Sequence, residues 1–590
     1  MFENTTFPTL LRRLWHHVSI ARKRQLGVML ILLTLSSVAE VVSIGAVLPF
    51  LGVLTQPQHL SETKEIQWLM NSFGVGMPEQ LALSITLSFA LLTVVAGSLR
   101  LITLNRSIRL AFDVGADLSN EAFVRTLNQP YSVHIGRNSS EVVNGISTKT
   151  NEVIFYVVMP MLALINALVI LFAILVILLF IIPDVAFWAF GTFGLIYGCI
   201  SVGIRKGRVQ DSKIIAIESN HIIQLLQESF GGIRDILIDG SQSTFAAQFR
   251  RSDSNLRHAQ GNNQFISQSP RYVMEALGIV TIAALAYLLT LREGGLAASI
   301  PTMAALTLGL QRMLPMAQQA YHSWSTMNGA QGALQDTLRL LEQPLASATP
   351  AQGRQVMPFE REIAFKNYSF RYAENAPWVL RDINFNIPKG ARIGLRGETG
   401  SGKSTLVDVI MGLLVSPEGA MSIDSEVVGP LNVHAWQAHI AHVPQDVFLT
   451  DSSVASNIAF GLSEDQIDID RVRRAAYQAK IGELIESWPD QFNTFVGERG
   501  VQLSGGQRQR IGIARAMYKQ ADVIIFDEAT SALDTTTEAA VMQSIEALDA
   551  DLTVIIIAHR LSTLKRCDFI YRVDGGSIIL EDREKILSAI

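Results

Sequence analysis

The stretch GETGSGKST, Gly397 to Thr405, stands between a strand-like ARIGL and a helix-like LVDVIMGLL. Glycines at this spacing let backbone N–H groups curl around phosphate oxygens, and the following helix adds the positive end of its dipole. Gly397, Gly400 and Gly402 give the loop its freedom and Ser401 sits between them. Lys403 is spaced to reach β- and γ-phosphates, Ser404 carries the hydroxyl that ligates Mg2+, and Thr405 follows. The chemistry indicated is the binding of ATP with Mg2+.

DVIIFDEATSALD supplies a second half. Its β-branched run reads as a buried parallel strand, with Asp527 and Glu528 at the C-terminal end. Behind a phosphate loop, Asp527 is placed to hold Mg2+ and Glu528 to polarise the attacking water. An acidic pair after a strand is by itself often only a helix cap; its order after GETGSGKST gives it meaning. In VQLSGGQRQRIGIARAM, Ser504, Gly505 and Gly506 form a small-residue helix start suited to backbone contact with a phosphate, with Gln507 next.

Loop, acid pair and LSGGQ in this arrangement resemble the ATP-binding cassette (ABC) proteins, and the resemblance extends over the whole chain in the half-transporter exporter arrangement. It implies further roles. Tyr372 in SFRY matches the aromatic that stacks on adenine, and Gln445 in VPQD the glutamine that senses Mg2+ and water. Asp534 matches the D-loop aspartate, and His559 in IIAHR the switch histidine at the γ-phosphate. In this family the signature of one cassette closes over the ATP held by another, so a chain with one copy of each motif implies a homodimer with two equivalent sites.

These groups need elements to hold them and something to drive. A chain of 590 residues exceeds one ordinary core. Its 49% hydrophobic content and mean hydropathy of +0.28 exceed the soluble norm, and the excess lies in the first 325 residues. A net charge of -5 gives no basic field of the kind nucleic acid selects. Two cysteines, Cys199 and Cys567, suggest neither a disulfide framework nor a metal cluster.

Six apolar segments are long enough to span a bilayer, near residues 25–54, 80–105, 153–182, 184–204, 270–291 and 299–325. The short loops between them contain only Lys64 and Arg292, whereas the N-terminal segment and the stretches 106–152 and 205–269 are rich in Lys and Arg. That asymmetry places both termini in the cytosol of a multi-pass membrane protein. The basic front LLRRLWHHVSIARKRQ resembles a signal peptide, but the run behind it is too long and shows no small-residue cleavage site, so it is read as a span. The two long stretches keep helical periodicity, so the spans should continue as helices beyond the bilayer. They are punctuated at QPYSVHIGRN and FGGIRDILIDG. By resemblance to exporters, turns at 130–138 and 235–242 would be coupling helices that dock on the cassettes; alternatively they only cap helices.

The fold class expected is an all-α membrane domain of six helices (1–342), exporter-type and domain-swapped as a dimer. A linker (343–358) and an α/β P-loop nucleotide-binding domain (359–590) follow.

Within the last span, ALTLGLQRMLPMAQQ places Arg312 about 13 residues deep, on the order of 20 Å at 1.5 Å per residue. An intramembrane arginine costs several kcal/mol, so it normally faces a cavity or a partner. Pro315 is expected to kink the helix. Arg100 and Arg271 fall near the cytosolic ends of the second and fifth spans by the same counting. Two readings stand. Either the arginines pair locally, Arg271 with Glu275 and Arg312 with Glu40, or they line a cavity that recognises an anionic group, for which guanidinium forks suit phosphate oxygens. SSVAEVVSIGAVLPFL, SPRYVMEALG and LGLQRMLPMAQQ resemble the bacterial flippases for lipid-linked oligosaccharides, which implies a polyprenyl pyrophosphate-linked substrate moved from the cytosolic to the outer leaflet of a bacterial inner membrane. HLSETKEIQWLMNSF would then be a short external amphipathic helix, or a plain loop. The competing readings are an exporter of drugs, peptides or other lipids, and an ATP-gated channel or regulatory ATPase. The want of an N-terminal peptidase domain argues against a peptide-maturing exporter, and intact Glu528, Gln445 and His559 argue against a mere gate.

Overall fold

The computed structural model describes residues 6–46, 50, 78–181, 210–290, 295–344, 357–416, 418–527, 535–546, 551–557, 564–565 and 567–588. The chain divides into two compact units. One comprises Met1–Gln129 and Arg137–Leu345, the other Pro130–Gly136 and Ala346–Ile590.

The first unit is helical among the described residues. Apolar runs of this length hydrogen-bond internally and leave side chains to pack, which is what a bilayer demands. Phe7–His17 is followed by Ile20–Gly45, Pro78–Leu127, a composite helix from Ser139 to Ile181, a helix over 210–231, Ile233–Asp239, Gln242–Thr290, Gly295–Gly329 and Gln331–Leu341. Among the described residues, three segments, Ile20–Ser43, Leu83–Leu127 and Ser139–Val176, are long and apolar enough to cross a membrane. The fifth and sixth expected spans lie within Gln242–Thr290 and Gly295–Gly329, while the fourth span and the external segment HLSETKEIQWLMNSF lie outside the described residues. Pro78–Leu127 holds 50 residues, roughly 75 Å at 1.5 Å per residue, so it continues well past a hydrocarbon core of about 30 Å. The Pro315 helix does not end there; it runs from Gly295 to Gly329.

Ile20–Gly45 and Pro78–Leu127 pair antiparallel through ordered contacts. Arg22 bridges Asp113 at 2.8 Å and Asp117 at 3.0 Å, Ser107 approaches Met29, and Ser43 meets Thr93 at 3.4 Å. Pro78–Leu127 approaches the composite helix closely at Gly115, where a Cβ would lie 2.0 Å from Ile154 Cδ1, so any larger residue would force the Ile154 side chain to move. The composite helix contains two π-helical turns, Gly145–Lys149 and Ile154–Val158. Thr150 Oγ1 donates back to the Gly145 carbonyl at 3.2 Å, five residues earlier, which fits the wider turn. Leu334, Leu338 and Leu341 of the last helix are fully buried against this region. Beyond that helix, the chain stays tied to Pro78–Leu127: Arg125 Nη1 donates to the Gln343 carbonyl at 3.0 Å, and Gln129 Nε2 to that of Pro344 at 2.9 Å.

Both punctuated points carry short helices, Tyr131–Ile135 and Ile233–Asp239. The second ends on Gly240 at φ +64°, a left-handed cap that glycine takes without strain.

The second unit contains two sheets. Strands β1 (Glu362–Phe370), β2 (Leu380–Pro388), β4 (Glu418–Ile423) and β5 (Glu426–Val427) form an antiparallel sheet of order β2-β1-β4-β5. Strands β3 (Arg392–Arg396), β6 (Ile440–Val443), β7 (Val523–Asp527), β8 (Thr553–Ile557), β9 (Phe569–Asp574) and β10 (Ser577–Glu581) form a second sheet of order β10-β9-β3-β8-β7-β6. It is parallel from β9 to β6. As VIIF and TVIII foretell, β7 and β8 are buried on both faces. One core, with Ile393, Leu406 and Trp436, lies on the side shared with the antiparallel sheet; another, with Ile511, Ala514 and Phe526, lies under the helix that follows LSGG. In open sheets of this kind, ligands bind beyond the C-terminal ends of the parallel strands.

Candidate nucleotide site

The expected loop leaves the C-terminal end of β3 and enters the helix Lys403–Ile410. Gly400 and Gly402 take left-handed backbone, φ +83° and +107°, and a Cβ at Gly402 would come within 3.1 Å of the Val379 carbonyl. Only glycine meets both conditions. Lys403 is buried, and its Nζ donates to the carbonyls of Gly397 and Glu398 at 2.8 Å each. The hydroxyl of Ser401 is buried without a hydrogen-bond partner. An ammonium folded across a glycine loop, a helix N-terminus and an orphaned hydroxyl fit a polyphosphate, which supplies charge and acceptors together.

Tyr372 is anchored to this loop rather than merely near it. Its hydroxyl shares a hydrogen bond with Thr405 Oγ1 at 3.0 Å, and its ring packs edge-on to Phe370 at 5.1 Å. Half of the side chain stays exposed, leaving an aromatic face for a base. Tyr131, which falls in the same unit, has its phenol pushed up by burial and by the nearby Asp408 and Tyr372.

Asp527 ends β7 and Gln445 follows β6, so both stand at the C-terminal rim of the sheet. Among the described residues, no three His, Cys, Asp or Glu side chains gather to hold a metal. The donors on offer, Ser404, Gln445 and Asp527, are oxygens with a single carboxylate. That set fits Mg2+, which takes one or two carboxylates and completes its shell with phosphate and water. Sequence reasoning missed Asp408, one helical turn after Ser404. Burial first, and the Asp527 carboxylate second, push it up to about 6. An approaching cation would relieve that crowding. Its signal in the sequence was a lone acid inside LVDVIMGLL.

Ser504 caps the helix Gly505–Lys519. Its Oγ accepts from the Gln507 N–H at 3.2 Å, while Gln507 Oε1 accepts from the Ser504 N–H at 2.7 Å, a reciprocal capping box. Two residues expected to meet nucleotide therefore also build the helix start that presents Gly505 and Gly506. Arg515, also unforeseen, lies half-buried on the same helix. It donates to the Asn457 and Phe448 carbonyls at 2.9 and 3.1 Å, fixing the signature helix to the segment after Gln445. Glu528, Asp534 and His559 lie outside the described residues.

In the membrane unit, Glu40 pairs with Arg100 at 3.8 Å. Antiparallel packing sets Ile20–Gly45 against Pro78–Leu127 and so brings the two together; the expected partnership of Glu40 with Arg312 falls on a side chain outside the described residues. The pair lies 18 residues from Arg22 along the first span, roughly 27 Å by helical rise, not beside the Arg22–Asp113 layer at its start. The side chains of Arg271 and Arg312 lie outside the described residues; their backbones are helical.

Residues 380–531 match the family model described as ABC transporter. The chain is 34% identical over 367 residues to an ATP-dependent lipid A-core flippase of Alkalilimnicola ehrlichii, covering 60% of each chain. It is 27% identical over 478 residues to a protein of the same description from Ralstonia nicotianae, covering 78% of each. The chain thus spans about three fifths of the length of the first of these relatives. The solved structure of a bacterial Atm1-family ABC exporter with ATP bound superposes with a TM-score of 0.78 at 22% identity, covering 97% of this chain and 96% of that one. Fold and loop together define an ATP-binding cassette behind a helical membrane unit. Residues 380–531 are an ABC transporter cassette, and the chain has the exporter fold of an integral membrane protein, with helices long and apolar enough to cross a membrane.

Proposed function

We propose that this protein is an ATP-driven flippase for a phosphorylated glycolipid. The observation that carries the reading is a phosphate loop with its lysine in place on the same chain as membrane spans that hold an arginine, Arg100, with its guanidinium more than half exposed. An arginine in that setting needs an anionic partner beyond Glu40 to use its remaining donors. Resemblance to lipid-linked oligosaccharide flippases supports a polyprenyl pyrophosphate headgroup, with Arg271 and Arg312 added to Arg100. The relatives named lipid A-core flippases support the broader class of phosphorylated saccharide on an apolar anchor.

In this reading Mg2+-ATP binds at Lys403, Ser404, Gln445 and Asp527, with adenine on Tyr372. Two copies of the chain close, the Ser504–Gln507 corner of each over the other's ATP, with Asp534 beside it. Glu528 polarises the attacking water and His559 contacts the γ-phosphate. Closure reaches the spans through the segments at 130–138 and 235–242. Termini and cassettes face the cytoplasm, in a bacterial inner membrane.

The test is transport in proteoliposomes. ATP should move a fluorescent polyprenyl diphosphate-linked saccharide or a lipid A analogue to the far leaflet, and Glu528→Gln should abolish this while leaving ATP bound. Normal ATP consumption with neither lipid moved would defeat the assignment of cargo.

A further inference from the structure

Resting on that reading, we propose that a cavity inside the membrane unit reads the hydroxyl groups of the one sugar ring adjoining the lipid's phosphate. The cavity lies among Ile20–Gly45, Pro78–Leu127, Met159–Ile181 and Gly295–Gly329, and has a volume of ≈ 220 Å³. That is room for roughly seven waters at about 30 Å³ each, enough for a single pyranose ring and too little for an oligosaccharide.

Its lining is unusual for a membrane interior. Glu40 and Arg100, paired at 3.8 Å, both face it. Ser36, Asn166 and Gln319 also line it, each on a different helix, and none of their side chains makes a hydrogen bond among the described residues. Unbonded amides and hydroxyls within spans cost free energy unless something enters to bond them. Their chemistry says what. Asn166 and Gln319 each offer donors and acceptors, and Ser36 a hydroxyl that does both. Sugar hydroxyls also do both, whereas a phosphate only accepts and leaves the amide carbonyls unmet. Glu40, with its side chain 12% exposed, offers acceptors only, so it repels a phosphate brought against it and accepts from a hydroxyl. Arg100, 58% exposed and bound to Glu40 by one long contact, keeps donors for the neighbouring phosphate. Leu104 and Leu162 close the cavity with apolar surface against which the C–H face of a ring packs.

The experiment uses the full chain in nanodiscs and two probes, farnesyl diphosphate and farnesyl diphosphate carrying one glucose. The wild type should bind the glucosylated probe at least about tenfold more tightly. Asn166→Leu and Gln319→Leu should each erase most of that preference while leaving affinity for farnesyl diphosphate in place, with unaltered gel-filtration profile as the check on folding. A wild type that binds both probes equally, or variants that keep the full preference, overturns the pocket. A wild type that binds neither probe overturns the phosphorylated-glycolipid reading instead.

Discussion

Lys403 donates to the carbonyl of Gly397, the residue that opens its own loop, at 2.8 Å. The lysine thus folds the loop over itself before any phosphate arrives, so its loss should be felt twice. Lys403→Ala should weaken ATP binding by about ten- to a hundredfold, the range expected for hydrogen bonds to a charged group. It should also lower the melting temperature of the nucleotide-free protein. Isothermal titration and thermal unfolding without ATP separate the effects; an unchanged melting temperature would show that the two carbonyl bonds contribute nothing.

The capping box makes Ser504 and Gln507 partners. Ser504→Ala should cost the helix Gly505–Lys519 about 1 kcal/mol. Hydrogen exchange at the amides of Gly506 and Gln507 should speed accordingly. Adding Gln507→Ala should cost less than it does alone, because each bond supports the other.

Arg100→Ala leaves the carboxylate of Glu40 in its buried place without the guanidinium. Stability should fall, and Glu40→Gln on the same background should recover most of it. Melting of the four proteins in detergent reads this directly. A fully additive cycle would mean the 3.8 Å contact carries no energy.

Asp336, on the helix Gln331–Leu341, has its carboxyl raised by burial, against the opposing pull of Lys149 and Arg339. Because the folded form holds its proton more tightly than the unfolded one, Asp336 costs stability once pH exceeds the ordinary carboxylate range, and the cost disappears on acidification. Asp336→Asn should therefore raise the melting temperature at pH 7.5, with a gain that shrinks toward pH 4.

Cys567 is fully buried beside β3, and burial pushes its thiol up to about 12. Mass spectrometry should find the Cys567 peptide unalkylated by N-ethylmaleimide in the native protein and labelled only after the cassette unfolds.

The cassette was the legible part of the sequence. VIIF and TVIII became two-sided buried strands, and the glycines of GETGSGKST took backbone only glycine holds freely. These features are local, set by residue type within a few positions. What depends on packing between distant segments was not legible: that Tyr372 bonds Thr405, that Asp408 feels the charge of Asp527, that Glu40 pairs with Arg100. Helical counting gives depth along one span but not the register of its neighbour, and one turn of offset exchanges one partner for another.

The paired π-helical turns carry a further consequence. Each wide turn accommodates one residue beyond the α-helical count, and a single residue swings everything after it by about 100°. Shortening the chain by one residue within 154–158 should therefore be absorbed by tightening the coil at that point, without turning the outward portion away from its neighbours. The same excision in the middle of Pro78–Leu127 has no slack to consume and would misface half of a 50-residue rod.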